Sequence, residues 1–393
     1  MLRRHRTHRI PLHRLRFIGW SCFCLAAILR ISSPPPAAAE SIPIRVLLLQ
    51  NLSSFQVSVP PYYTIRTRPA NLLPAEIEGW RTLHVEPNRG HIRISEASRE
   101  VEELDLLPRT PEAVIFVGGK LYRGGLTVKE REAGLTVVNT VDLEAYLYGV
   151  LPKEAPAGWE MAALRAQAVV ARTYTLYKRQ QGNNDYDVAA QYARDQHYEG
   201  YSVEDPRTSQ AVDDTQGLVL TCYGELVPAY YHAESAGSTE NSENVWSAAH
   251  PCLRAVKAPI YPASPYLHWS ATLSLEEIRA ALVRSGYAVG TIRRFEPIQR
   301  SPTGRLMLLK ISHRLGETVL RGTDFRLALG PEVIRSTLFS VQVRGGRALF
   351  TGQGWGHGVG LCQWCSQGMA EQGYDYEAIL RYYYRGAQLI RYE

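Results

Sequence analysis

From Ile44 to about Val141 apolar and polar residues mostly alternate, and turns rich in Pro, Gly and Asn interrupt the pattern. IRVLLLQ (44–50) and FQVSV (55–59) predict strands, while AVIFVGGKLYRGGLTV (113–128) and GLTVVNTV (134–141) predict hairpins. Residues 72–111 are more polar and less regular. Asp142 is then placed to cap a short helix, LEAYLYGV (143–150). A longer helix over EMAALRAQAVVARTYTLYK (160–178) repeats Met161, Leu164, Ala168 and Ala171 at spacings of three, four and three, which defines a core face. Arg165, Gln167 and Arg172 lie off that stripe, and the two arginines are expected at the surface or in ion pairs.

Residues 182–204 form a polar, Tyr-rich loop too long for a simple connector. Asp205-Pro206 opens a helix that ends before Gly217, and LVLTCYGELVPAYYHAES (218–235) predicts a hairpin turning near Gly224. Alternation in its second arm places His232 and Glu234 on one face and Tyr231 and Ser235 on the other. Ser274 and Glu277 have the spacing of a capping box for a helix over 275–286. Hairpin signals return from Leu306 to Phe350. Two helices follow, LCQWCSQGMAEQ (361–372) closed by Gly373 and DYEAILRYYYRG (375–386). The expected fold class is α+β: a two-part globular protein with β-rich ends, a helical centre and a cleft between them. Residues 40–137 would form an N-terminal β-rich region and 138–393 the catalytic region.

The first 39 residues read as an export signal: a basic stretch, a 13-residue apolar run (17–29) and small residues at Ala37 and Ala39 for cleavage. The run is shorter than the ~20 residues that cross a bilayer, so a periplasmic or envelope location after cleavage is expected, with an uncleaved anchor as the alternative. The leader also changes the charge balance. The chain carries +6 overall, but seven arginines sit in the leader, which leaves 37 basic against 38 acidic residues. No nucleic-acid footprint remains. Four cysteines lie beyond the leader, Cys222, Cys252, Cys362 and Cys365, and an exported chain can pair them in three ways.

VLPKEAPAGW (150–159) holds one acid, Glu154, between two prolines with Trp159 close behind. Pro156 disfavours helical geometry at Ala155, which predicts Glu154 in a loop ahead of the long helix. The corner is either a surface turn or a place built to hold a proton at a controlled affinity. Val150, Leu151, Pro152, Pro156 and Trp159 would raise the carboxyl pKa by desolvation, whereas Lys153 and the following helix N-terminus would favour the anion.

Three blocks, NTVDLEAYLYGVLPKEAPAGWEMAALRAQAVVARTYTL, AYYHAESAGSTENSENVW and GQGWGHGVGLCQWCSQGMA, resemble in order and spacing the stage II sporulation protein D and amidase-enhancer family. The likeness covers roughly residues 44–390. It implies a peptidoglycan lytic transglycosylase that cleaves MurNAc–GlcNAc linkages in peptide-stripped glycan, with Glu154 as its catalytic acid. It also implies that Tyr231, Ser235 and Gly237 line the substrate cleft. The glycine-rich run around His357 has two readings: a close approach to a sugar, with His357 or Gln363 binding its hydroxyl or acetamido groups, or a tight turn whose His caps a neighbouring loop. One carboxyl suffices for such chemistry, because the sugar's own C6 hydroxyl replaces water as the attacking group, whereas ordinary glycosidases commonly use two. The alternative is a non-catalytic peptidoglycan-binding module that stimulates an N-acetylmuramoyl-L-alanine amidase. Ala236 stands where the family often has Gly, and Cys362 and Cys365 stand where it more often has Ser and Gly. For those two cysteines the expectation is buried packing, or a disulfide with Cys252 or Cys222. Zinc held by His357, Cys362 and Cys365 would lack a fourth ligand, so neither a metal nor another cofactor is expected.

Overall fold

The computed structural model describes residues 41–68, 79–97, 99–182, 185–191, 194–246 and 248–392; the expected leader lies outside them. Among the described residues the period-two alternation forms two six-stranded sheets. The first orders Val188–Ala189, Pro43–Leu52, Gly134–Asp142, Gly125–Arg131, Glu103–Pro108 and Tyr63–Arg68 side by side. The second orders Arg99–Val101, His91–Ile94, Arg81–Asn88, Phe55–Val59, Val114–Val117 and Lys120–Arg123. Alternation sends Ile44, Val46, Val57, Val59, Leu83 and Val85 inward, and these join one core with the central helices as far as Tyr384. The fold class is α+β, as the sequence pattern implies.

Asp142 ends its strand and caps α1 (Leu143–Glu154), accepting from the N–H groups of Glu144 and Ala145. The helix runs past its expected end at Val150, through Pro152, and stops at Glu154. An interior proline forfeits a hydrogen bond and costs about 3 kcal/mol. Complete burial of Leu147, Val150 and Leu151, at roughly 1.5–3 kcal/mol each, outweighs that cost. Ala155, the residue before Pro156, is extended at φ −138° and ψ 127°. Glu154 is therefore the last residue of a helix rather than part of a loop, which corrects the sequence expectation.

α2 (Met161–Gln181) buries Leu164, Ala168 and Ala171 as expected, but also Gln167, Val169, Val170 and Thr173. Its neighbours are α1, α3 (Pro206–Asp214) and the two C-terminal helices. Small side chains permit such close approach from several sides. Arg172, expected at the surface or in an ion pair, is fully buried. Its Nε and Nη2 donate to Glu144 at 2.8 and 2.6 Å, and its remaining N–H groups reach the Val212 and Leu218 carbonyls. Arg165 pairs with Asp214.

The hairpin after Gly217 turns at Tyr223–Gly224, but its return arm pairs only through Glu225–Leu226. Tyr231–His232 leaves that sheet and pairs in parallel with Leu361–Cys362. Beyond His232 the strand ends, and Glu234 pairs across to Trp355 instead. The expected separation of Glu234 from Ser235 fails there, because a broken strand loses its two-residue period. Past α4 (Ser242–Trp246), residues 268–353 form a lobe with its own core around Phe295, Phe325, Phe339 and Phe350. This lobe carries α5 (Leu275–Arg284), opened by the Ser274–Glu277 capping box, and α6 (Gly322–Leu329). The chain then re-enters the first core through α7 (Gln363–Glu371) and α8 (Tyr376–Tyr383).

Candidate functional site

The end of α1 meets the start of α7. Gln363, the first residue of α7, donates its Nε2–H to the Glu154 carbonyl at 3.0 Å and to its Oε2 at 3.3 Å. The His197 backbone N–H donates to Glu154 Oε1 at 2.8 Å. Burial pushes the Glu154 pKa up; the His197 amide, the Tyr231 hydroxyl and the Gln363 amide pull it back without reversing the direction. The α1 C-terminus adds its negative dipole end, which disfavours an anion there. Lys153, the obvious counter-ion, turns away to Glu199 at 3.1 Å. Lys120 and Lys153 together hold Glu199 down at about 2. The corner thus keeps a carboxylic acid protonated further toward neutrality than an ordinary glutamate.

Tyr231 completes this group. Its hydroxyl is buried and has no partner of good hydrogen-bond geometry, although it stands close enough to favour the Glu154 anion. A satisfied core tyrosine would have found an acceptor. Trp159 and Trp364 meet edge to face at 5.0 Å beside the corner. Tyr261, Tyr266 and Trp355 continue the aromatic row.

The remaining expected site residues make their contacts elsewhere. His357 packs among Tyr230, His232 and Trp246, and its Nδ1 accepts the Val359 N–H at 3.0 Å. Burial, helped by the charges of Arg326 and Arg305, drops its pKa to about 3. His232 is likewise held well below the usual range by burial. Both imidazoles are therefore uncharged near neutrality, each keeping a single ring N–H: His232 donates from Nδ1 to the Val359 carbonyl at 3.2 Å. Ser235 is buried, with its carbonyl accepting from Arg305 Nη2 at 3.0 Å. Gly237, at φ +99°, accepts the Ala258 N–H and forms the turn with Ala236.

Ala236 has φ +57°, the left-handed region in which a Cβ costs roughly 1–2 kcal/mol. Ala236→Gly is accordingly expected to raise unfolding stability by about 1 kcal/mol. Urea denaturation checks this, and a destabilised variant would refute the strained backbone.

The cysteines pair as Cys222–Cys252 and Cys362–Cys365. The second pairing corrects the expectation that Cys362 or Cys365 would bond to Cys222 or Cys252. Cys362 caps α7 rather than sitting on its face, because its sulfur accepts the Cys365 N–H. Cys362 and Cys365 then lie one turn apart at the same helix end. Glu234, Cys362 and Cys365 bring three ligand-type atoms within 4.8 Å of one another. Sulfurs bonded to each other are not thiolates, so this state does not fit a metal.

His197 escaped sequence reading because its contribution is a backbone N–H, which no side-chain pattern encodes. The usable signal was the length of the 182–204 loop. That loop threads back under α1, delivering His197 to Glu154 and Glu199 to Lys153.

Residues 131–222 match the family model described as Stage II sporulation protein, and residues 261–360 match a Domain of unknown function (DUF8618). The second match covers the whole of the 268–353 lobe. An uncharacterized protein of Brachyspira hyodysenteriae is 33% identical over 70% of this chain and 74% of its own length. The Amidase enhancer of Bacillus subtilis is 30% identical over 63% of this chain, which spans 40% of that protein. The Stage II sporulation protein D of Bacillus subtilis is 30% identical over 68% of this chain and 82% of its own length. With Glu154 and His197 inside the matched segment and the Stage II sporulation protein D of Bacillus subtilis covered over 82% of its length, this chain belongs to the stage II sporulation protein D family.

Proposed function

We propose that the protein is an exported lytic transglycosylase of peptidoglycan, with Glu154 acting first as general acid and then as general base. The observation that carries this reading is a half-buried carboxyl with a raised pKa, oriented by His197 and Gln363 at the end of α1. Its proton goes to the glycosidic oxygen as the bond from C1 breaks. The C6 hydroxyl of the same sugar then closes on C1, and the Glu154 carboxylate takes the C6 proton. One acid begins and ends the cycle in the same protonation state.

Three further acids of the described residues are engaged. Asp195 accepts from Tyr174 and the Ala189 N–H, and Asp214 binds Arg165. Glu234 lies against the cysteine pair. None of these three carboxylates is free to activate water, and the exposed Glu160 turns no side-chain hydrogen bond into the corner. Tyr231 and Gln363 face Glu154 and are assigned to the reacting sugar. Ser235, Gly237 and His357 shape the walls behind them.

The partly exposed rings of Trp364, Tyr266 and Trp355, backed by the buried Trp159, suit the apolar faces of sugar rings. Trp364→Ala is expected to raise KM about tenfold with a smaller change in kcat, because stacking energy is shared by ground and transition states. A loss confined to kcat would remove Trp364 from substrate binding.

The similarity to the Amidase enhancer favours a second reading, in which the protein stimulates an amidase without cleaving glycan. Purified protein incubated with peptide-stripped glycan strands separates the two. Soluble fragments released by the protein alone support the enzyme. No release, combined with faster stem-peptide removal when an N-acetylmuramoyl-L-alanine amidase is added, supports the enhancer.

A further inference from the structure

Cys362 and Cys365 bracket Gln363, the residue that holds Glu154, and their surroundings differ in a way that matters for sulfur chemistry. Cys362 Sγ faces two backbone N–H groups, from Ser235 and Cys365, each at 3.3 Å. A thiolate at a helix N-terminus with two such donors is a stabilised leaving group. Cys365 Sγ has Ser235 Oγ at 3.3 Å and Glu234 Oε1 at 3.4 Å. Glu234 is fully buried, its Oε1 accepts the Ala236 N–H at 2.9 Å and its Oε2 has no hydrogen-bond partner among the described residues; desolvation raises its pKa, so it can supply a proton there. One cysteine is prepared to leave as an anion and the other to be protonated. Packing alone requires neither.

We infer that Cys362–Cys365 is a redox-active disulfide whose state sets the grip of Gln363 on Glu154, a proposal that rests on Glu154 being the catalytic acid. The reaction partner is a small dithiol, because both cysteines are fully buried and no protein surface reaches them. The dithiol's thiolate attacks Cys365 Sγ. The sulfur–sulfur bond breaks, and its electron pair stays on Cys362, held by the Ser235 and Cys365 amides. The second thiol of the reagent closes on its own sulfur and expels Cys365, which takes a proton from Glu234. Glu234 and Cys362 recover protons from solvent. Two electrons and two protons have moved, and the reagent leaves as a cyclic disulfide.

Reduction must move α7. Two free sulfurs need an ordinary non-bonded separation of about 3.5–4 Å, and Cys362 is held at the N-cap of α7 with Cys365 in its first turn. The first turn of α7 gives way and carries Gln363 from Glu154. The oxidised protein is then the active form, and misplacement on this scale costs about 10- to 100-fold in rate.

The test measures the Glu154 carboxyl directly, by 13C NMR titration of the full-length protein with Glu154→Gln as the assignment control. The titratable groups facing Glu154 are Tyr146, Tyr174 and Tyr231, all held far above neutrality, so its titration stands clear of theirs. Protein is titrated oxidised and again after treatment with dithiothreitol, and alkylation with peptide mass mapping reports which cysteines were opened. Loss of the Gln363 hydrogen bond removes support for the anion, so the Glu154 midpoint should rise on reduction, and cleavage should fall about 10- to 100-fold. In Cys362→Ala/Cys365→Ala the titration should ignore dithiothreitol, which excludes the Cys222–Cys252 bond as the cause. The idea is overturned if Cys362 and Cys365 are alkylated while the midpoint stays fixed. It is equally overturned if the double variant shows the same shift, or if the pair opens only when the protein unfolds. If the midpoint shifts but the oxidised protein cleaves nothing, the redox clamp stands and the transglycosylase reading falls.

Discussion

Glu154→Gln should lower glycan cleavage by about 10²–10⁴-fold, the usual contribution of a general acid–base group. Gln preserves the volume and can still accept the His197 N–H, but it has no proton to give to the leaving oxygen and cannot take one from C6. Binding to glycan strands should persist. The same variant carries a stability signature. The folded-state pKa of Glu154 lies above its ordinary value of 4.5, so the carboxyl favours folding where it is protonated. That contribution is lost as pH rises through the raised pKa. Gln has no ionised form to desolvate. The variant should therefore be more stable than wild type at pH 7, and the difference should vanish below about pH 4. Wild-type cleavage should weaken over the same rising pH range, because the acid form begins the reaction. Near-normal cleavage by Glu154→Gln, with no gain in stability at neutral pH, would make the corner structural.

Glu144→Ala should cost about 3–5 kcal/mol of unfolding free energy. It strands Arg172, whose side chain has 0% exposure, without the carboxylate that takes two of its N–H groups. Because α1 and α2 meet through this pair, the loss should also loosen the corner at Glu154. The double variant Glu144→Leu/Arg172→Met should recover most of the stability, since an apolar pair avoids burying any charge. Chemical denaturation of the three proteins checks both statements. A cost below about 1 kcal/mol for Glu144→Ala would show that the carbonyls of Val212 and Leu218 carry the arginine alone.

Local chemistry made much of this legible in the sequence. Asp142, Asp205 and the Ser274–Glu277 box mark helix starts through side-chain acceptors two or three residues from their donors, and each caps its helix in the structure. The period-two strands of the N-terminal region follow from one buried face. The features that resisted reading depend on contacts distant in sequence. Pro156 argued for a loop at Glu154, and only the burial of Leu147, Val150 and Leu151 carries α1 through Pro152 to Glu154. Gln167 and Arg172 lie off the expected core stripe, and both are buried because α3 and α7 cover the other sides of α2, with Arg172 taking the ion pair that was one of its two expected places. The Cys362–Cys365 bond was missed because a continuous helix from Leu361 would leave the two sulfurs on its surface, whereas the helix begins at Gln363 and Cys362 caps it. At the corner itself, Glu154, Tyr231 and Gln363 were named from the sequence, and the structure sets them around one carboxyl. The His197 amide needed the folded loop.

The central claim is that the sugar's own hydroxyl, not water, attacks C1. Digestion of peptide-stripped glycan strands in H₂¹⁸O, followed by mass analysis of the new ends, tests it directly. The account predicts 1,6-anhydro-MurNAc ends, lighter by one water than hydrolysed ends and free of ¹⁸O. Reducing-end MurNAc carrying one ¹⁸O would contradict it and require a second group that activates water.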